Sequence, residues 1–157
     1  MIIIGYPGIG KTSISRNGNG YIDLESSSFW IDGIRYNDWH IPYCNIARNL
    51  SEQGYSVFVS SHEVVRKWLR NSHLRKIIVF PALEIRDAWI GRLEKRFDET
   101  GSDKDYMALK NAKESYDTNI RELLWEKDFE KIIIRELPYD LEELLNQNLY
   151  KNGGEPK

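Results

Sequence analysis

Met1-Ile2-Ile3-Ile4 runs without a polar residue into Gly5-Tyr6-Pro7-Gly8-Ile9-Gly10-Lys11-Thr12. The octet meets the pattern G-x-x-x-x-G-K-[ST] at every fixed position, and the apolar tetrad supplies the strand that must precede it. The residue types follow from the task. Glycines let the backbone curl so that successive N–H groups face phosphate oxygens, and the start of the helix that follows adds unpaired donors. Lys11 can bridge terminal phosphates as a point charge, and the Thr12 hydroxyl can ligate Mg²⁺. The stretch therefore predicts a nucleoside triphosphate site built from Gly5, Gly8, Ile9, Gly10, Lys11, Thr12 and Ser13.

The rest of the composition narrows the setting. A chain of 157 residues fits one domain with a sheet and covering helices. A formal charge of −2 gives no global pull towards polyanions, so nucleic-acid binding would need a local patch. Cys44 is the single cysteine, which rules out an internal disulfide and suits a reducing compartment. With no membrane-length apolar run and a strand beginning at Met1, a cytoplasmic protein is expected.

Working outward, a short helix from Lys11 should end at Gly18-Asn19-Gly20. A second strand, Tyr21 to Leu24, leads into Asp23-Leu24-Glu25-Ser26-Ser27-Ser28. From Phe29 to Pro42 periodicity is lost among aromatics, as in a functional loop. Tyr43, Ile46, Ala47 and Leu50 then mark an amphipathic helix. Val57-Phe58-Val59 reads as a buried parallel strand, with Ser60 and Glu63 as a capping box for the next helix. Ile77 to Phe80 forms a fourth strand stopped by Pro81. Two helices follow, one with Ile85, Trp89, Leu93 and Phe97 on one face and one from Leu109 to Leu123, separated by a polar break at 100–104. Ile132-Ile133-Ile134 is the fifth strand, and Asp140 with Glu143 should cap a last helix. Strands alternating with helices predict an α/β fold, a five-stranded parallel sheet with helices on both faces. The expected boundaries are a single domain at 1–150 and a disordered tail at 151–157.

Gly5-Tyr6-Pro7-Gly8-Ile9-Gly10-Lys11-Thr12 resembles the G-x-P-G-x-G-K form of adenylate kinases and other nucleoside monophosphate kinases. The chain as a whole resembles small P-loop kinase-like proteins of phages and Firmicutes, through Ile22-Asp23-Leu24-Glu25-Ser26-Ser27, Ser60-Ser61-His62 with Val65-Arg66, and Val79-Phe80-Pro81 followed by Arg92 and Arg96. Only the phosphate loop is specific in this match. The resemblance implies a P-loop NTPase fold, ATP as donor, Mg²⁺ held by Thr12 and Asp23, an acceptor-binding segment at 29–53 and a lid at 84–105. It also implies Arg66 as the arginine that meets the acceptor phosphate, and Arg92 and Arg96 as lid arginines closing over the transferring group, with Arg86 a weaker candidate. Tyr36 and Trp39, with Trp30, could stack on an acceptor base. No element of the kind by which switch GTPases read guanine, and no paired acids ending a strand as in motor ATPases, is present.

Asp23 and Glu25 keep a second acceptor class open. Phosphate acceptors are already anionic, whereas a hydroxyl needs a base. Asp23-x-Glu25 resembles the Asp-x-Asp at the same place in shikimate kinases, which would make one acid a metal partner and either acid the base. Lys11, Asp23, Glu25, Arg92 and Arg96 are thus the catalytic candidates. The leading expectation is transfer to a nucleoside monophosphate, and the alternative is a hydroxyl on a small metabolite or on a hydroxymethylated base in DNA. In that second case the basic segment 62–76 would contact DNA. A non-catalytic nucleotide-binding regulator is the third class.

Overall fold

The structure, a computed structural model, describes residues 1–32 and 34–151. The tail expected at 151–157 lies outside the described residues from 152 onward.

Ile2, Ile3 and Ile4 form strand β1 (Ile2–Gly5) and are fully buried, each worth roughly 1.5–3 kcal/mol of apolar burial. A strand buried on both faces belongs at the centre of a sheet, and β1 sits there. It pairs in parallel with β5 (Ser56–Ser60) on one side and β6 (Lys76–Pro81) on the other. Strand β2 (Tyr21–Asp23) flanks β5, and β7 (Glu130–Ile134) flanks β6, giving the order β2-β5-β1-β6-β7, parallel throughout. The chain is an α/β fold whose five-stranded parallel sheet is flanked by helices.

The connection from β1 through α1 (Lys11–Ser15) runs one way along the sheet, past β5 to β2. Those through α2 (His40–Glu52) and α3 (Glu63–Arg70) run the other way. Right-handed crossovers therefore put α1 on one face and α2 and α3 on the opposite one. That reversal opens a crevice at the carboxyl ends of β1 and β5. Between β6 and β7 the chain makes a long helical hairpin, α4 (Arg86–Thr100) and α5 (Asp103–Leu124). Gly101, with φ 59°, ends α4, and the Ser102 side chain caps α5 by accepting from the Asp105 amide at 3.1 Å. The last helix, α6 (Leu141–Lys151), starts under the expected cap, with the Glu143 amide donating to Asp140 Oδ1 at 3.0 Å.

Three local expectations need correction. Ser60 and Glu63 form no capping box: His62 is the N-cap residue of α3 without a side-chain bond, and Ser60 Oγ instead meets His62 Nδ1 at 2.7 Å. Helix α2 begins at His40, before the expected start at Tyr43, because Pro42 lies in its first turn, where a missing N–H costs little. The stretch from Phe29 to Pro42 is not wholly irregular. Trp30–Ile31 (β3) and Ile34–Arg35 (β4) pair antiparallel, Trp30 opposite Arg35. Asp32-Gly33 between isoleucines is a strong hairpin signal in the sequence. Among the described residues no helix is long and apolar enough to cross a membrane.

Candidate functional site

At the carboxyl end of β1 the chain turns through Tyr6 to Gly10 before entering α1. Gly8 and Gly10 take φ of 92° and 107°, a region that L side chains rarely enter. The outer side of this loop is held from behind. Trp89 Nε1 donates to Pro7 O at 3.1 Å, Arg92 Nε to Gly8 O at 2.8 Å, and Tyr139 Oη to Ile9 O at 2.6 Å. Three successive carbonyls are thereby fixed by three side chains. The clamp is itself stacked: the Trp89 and Tyr139 rings lie 6.2 Å apart at 15°, with Arg92 Cζ 5.3 and 5.2 Å from their centroids. Burial raises the Tyr139 pKa to about 12, so the phenol keeps the proton it donates.

Lys11 folds back over the loop, its Nζ 3.3 Å from Gly5 O. Burial lowers its pKa, and the Asp23 carboxylate opposes that shift. Thr12 Oγ1 donates to Asp23 Oδ2 at 2.9 Å, joining α1 to the end of β2. Asp23 and Glu25 are driven apart. Burial raises Asp23, against Lys11 and with help from the charge of Glu25. Burial also acts to raise Glu25, but its hydrogen bond to Lys104 and the charges of Lys104 and Lys11 outweigh it and leave the pKa below the ordinary value. Lys104 comes from the first turn of α5, so the Glu25–Lys104 pair spans the crevice.

Lys11, Thr12, Glu25 and Lys104 border one cleft of about 710 Å³. Gly5, Gly8, Gly10, Lys11 and Thr12 form one wall, Trp30, Ile34 and Arg35 of the β3–β4 hairpin another, and the start of α5 a third. On the hairpin wall the Arg35 guanidinium lies between two indoles, Cζ 5.0 Å from the Trp30 ring and 4.9 Å from the Trp39 ring, and donates to Ser26 Oγ at 3.0 Å. His62 also lines the cleft. Desolvation and then the charges of Arg35, Lys11 and Arg66 lower its pKa to about 4. With the residue as a whole exposed, the cations are the durable part of that shift.

No protein-family model matches the chain, and no curated protein matches it. Among solved structures it is similar to an uncharacterized protein from Eubacterium ventriosum ATCC 27560, at 15% identity and a TM-score of 0.49 over 96% of each chain.

The structure gathers Gly5, Gly8, Gly10, Lys11, Thr12, Glu25 and Arg96 on the cleft, with Asp23 in contact through Thr12. Ile9 turns its side chain into the core, and the Ser13 side chain is exposed. Other candidates are placed elsewhere. Arg66 is buried, its guanidinium donating to Ser61 O at 3.0 Å, Glu126 at 2.7 Å and Glu122 at 3.2 Å. A guanidinium committed in this way is a scaffold ion pair rather than a free acceptor ligand. Arg92 faces the back of the glycine loop, not the cleft. Trp39 is buried against Phe29, Tyr43 and the edge of His62, and Tyr36 is exposed away from the cleft lining. Arg96 Nε pairs with Asp105 at 3.0 Å, whereas Arg86 reaches only Asp117 at 4.0 Å. The basic segment 62–76 is mostly neutralised from within. Besides Arg66, Arg70 pairs with Glu126, Arg75 with Glu130 at 3.0 Å, and Lys76 donates to Leu69 O and Ser72 O at 2.7 and 2.8 Å. Arg35 and Lys104 are among the cleft residues that the sequence did not single out.

Proposed function

We propose that the protein is an ATP- and Mg²⁺-dependent phosphotransferase of the P-loop kinase type. It passes the γ-phosphoryl group to a nucleotide-type acceptor, with nucleoside monophosphates first among the candidates. One observation carries the reading: the clamped glycine loop, Lys11 and the Thr12–Asp23 pair converge on one cleft of about 710 Å³. That volume is in the usual range for small-molecule sites, and it lies where open α/β sheets bind ligands.

Phosphoryl transfer is mostly positioning and charge neutralisation. Loop amides and Lys11 would hold the donor phosphates. Thr12 Oγ1 and Asp23 Oδ2, 2.9 Å apart, are hard oxygens that fit Mg²⁺, an ion that keeps several of its waters. The described residues contain no cluster of three or more His, Cys, Asp or Glu side chains, and a metal arriving on a nucleotide needs none. When bound, the ion supplies charge neutralisation on the phosphates. Arg96, on the cleft wall beside Asp105, is the cation best situated to approach the transferring group.

A hydroxyl acceptor is the second reading, favoured by Glu25. Its carboxylate borders the cleft and its pKa lies below the ordinary value, so it is in the base form at neutral pH. The two readings separate when the protein is incubated with labelled ATP, Mg²⁺ and a panel of nucleoside monophosphates, nucleosides and duplex DNAs. Label on monophosphates that survives Glu25→Gln supports the first. Label only on hydroxyl acceptors, lost in Glu25→Gln, supports the second. ATP binding without transfer to any acceptor would leave a nucleotide-binding regulator in place of both.

A further inference from the structure

The hairpin wall holds donors that the phosphotransferase reading leaves unused. Among the described residues, the buried side-chain atoms without a hydrogen-bond partner are Trp30 Nε1 and Arg35 Nε. Both residues border the cleft, and they stand opposite each other in the β3–β4 register. Folded proteins pair nearly all their buried donors, so two orphaned N–H groups on adjacent residues at a cleft point to an acceptor that arrives from outside. Arg35 also has no counter-ion among the described residues. None of the ion pairs among the described residues includes it. The two indoles fix the plane of the guanidinium without neutralising it, and its burial lowers its pKa, the mark of a charge taken from water without a carboxylate in exchange. The Ser26 hydroxyl, which accepts from Arg35, still has its own proton to give.

We propose that Trp30, Arg35 and Ser26 form a second oxyanion site on the hairpin wall of the cleft, which takes the phosphate monoester or carboxylate of the acceptor. Three donors, one of them a fixed guanidinium, suit a planar or tetrahedral oxyanion. Ile34 of the hairpin and Tyr106 and Met107 at the start of α5 are exposed and line the same cleft, so the rest of the ligand meets apolar side chains suited to a flat body. The assignment of this ligand as the phosphoryl acceptor rests on the phosphotransferase reading; the binding of an oxyanion here does not.

Tryptophan fluorescence reports on the site directly, because two indoles flank Arg35. Wild type, Arg35→Gln, Arg35→Lys and Lys11→Ala are titrated with inorganic phosphate, acetate and a mixture of nucleoside 5′-monophosphates, at constant ionic strength set with chloride. The expected result is a saturable change in wild type and Lys11→Ala, with Kd raised tenfold or more by Arg35→Gln and less by Arg35→Lys, which keeps the charge but not the planar stacked donors. A response to phosphate or monophosphates alone identifies a monoester site. A response to acetate alone identifies a carboxylate site, and a response to both identifies a general oxyanion site. The proposal is overturned if no probe gives a saturable change, if Arg35→Gln binds like wild type, or if Lys11→Ala abolishes the signal. Should Arg35→Gln fail to fold, Trp30→Phe keeps a ring and removes one donor; a two- to fivefold weaker Kd is expected, and unchanged affinity overturns the site as drawn. Oxyanion binding without phosphoryl transfer leaves this site standing and removes the activity. Transfer that ignores Arg35 does the reverse.

Discussion

The two long walls of the cleft are built on opposite terms. The glycine-loop wall is braced by the chain itself: the carbonyls of Pro7, Gly8 and Ile9 are held from behind by Trp89, Arg92 and Tyr139 respectively. The hairpin wall is incomplete: among the described residues Trp30 Nε1 and Arg35 Nε have no hydrogen-bond partner, and Ile34 is exposed. A wall satisfied in advance can bind without reorganising, which is what charge stabilisation of phosphates calls for. A wall with open donors is completed by its ligand and selects for what completes it. On the proposed reading, the difference puts fixed chemistry on the loop side and specificity on the hairpin side.

The largest expected effect tests whether Arg66 belongs to either wall. Glu126→Ala leaves its buried guanidinium without a main partner, so unfolding in urea should show a loss of about 3–5 kcal/mol. The acceptor KM of the folded fraction should not move; a KM effect with unchanged stability would return Arg66 to the acceptor side. The same pair sets a pH dependence. Hydrogen bonding to Arg70, followed by the charges of Arg70 and Arg66, outweighs burial and holds Glu126 below its ordinary 4.5. Its contribution is therefore fully present above that value and is lost as pH falls through the folded pKa.

Next comes the clamp. Arg92→Ala removes a charged hydrogen bond worth about 1.5–3 kcal/mol, so ATP affinity should fall roughly ten- to a hundredfold while kcat changes less. A lid arginine would give the reverse, a fall in kcat with binding kept, and that outcome would break the account of Arg92 as a positioning residue. A smaller effect is expected at the bridge between the walls. In Lys104→Gln, Glu25 loses its hydrogen bond and nearby charge, so its pKa should rise and the acid limb of the transfer-rate profile should move to higher pH. Stability should change by less than about 1 kcal/mol, since both side chains are part-exposed. An unmoved acid limb would mean that Glu25 titration does not govern transfer. The smallest signal is a shift in His62. By NMR its pKa should lie below the ordinary 6.5 in the free protein, held down by the neighbouring cations, and rise when phosphate or ATP screens Lys11 or Arg35. A value that stays fixed on saturation would separate His62 from both walls.

What could be read from the sequence follows the same division. The loop was legible because strand, glycines, lysine and threonine are consecutive and each position has a local reason. The five strands were legible because buried parallel strands are short unbroken apolar runs such as Val57-Phe58-Val59. Partnerships across the fold were not. Arg66 looked free because its counter-ion, Glu126, is 60 residues away in the chain. Arg92 looked like a lid cation because its acceptor, Gly8 O, lies 84 residues back. Arg35 carries no local signal of its own: what sets it against Trp30 is the antiparallel pairing of Trp30–Ile31 with Ile34–Arg35, which a loss of periodicity over 29–42 does not reveal.

The central claim is that Gly5 to Thr12 is a working triphosphate site. Calorimetric titration of ATP with Mg²⁺ into wild type and Lys11→Ala tests it most directly. The account expects saturable binding in wild type, weakened about a hundredfold or more in Lys11→Ala. No binding in wild type, or equal affinity in the two proteins, would contradict it.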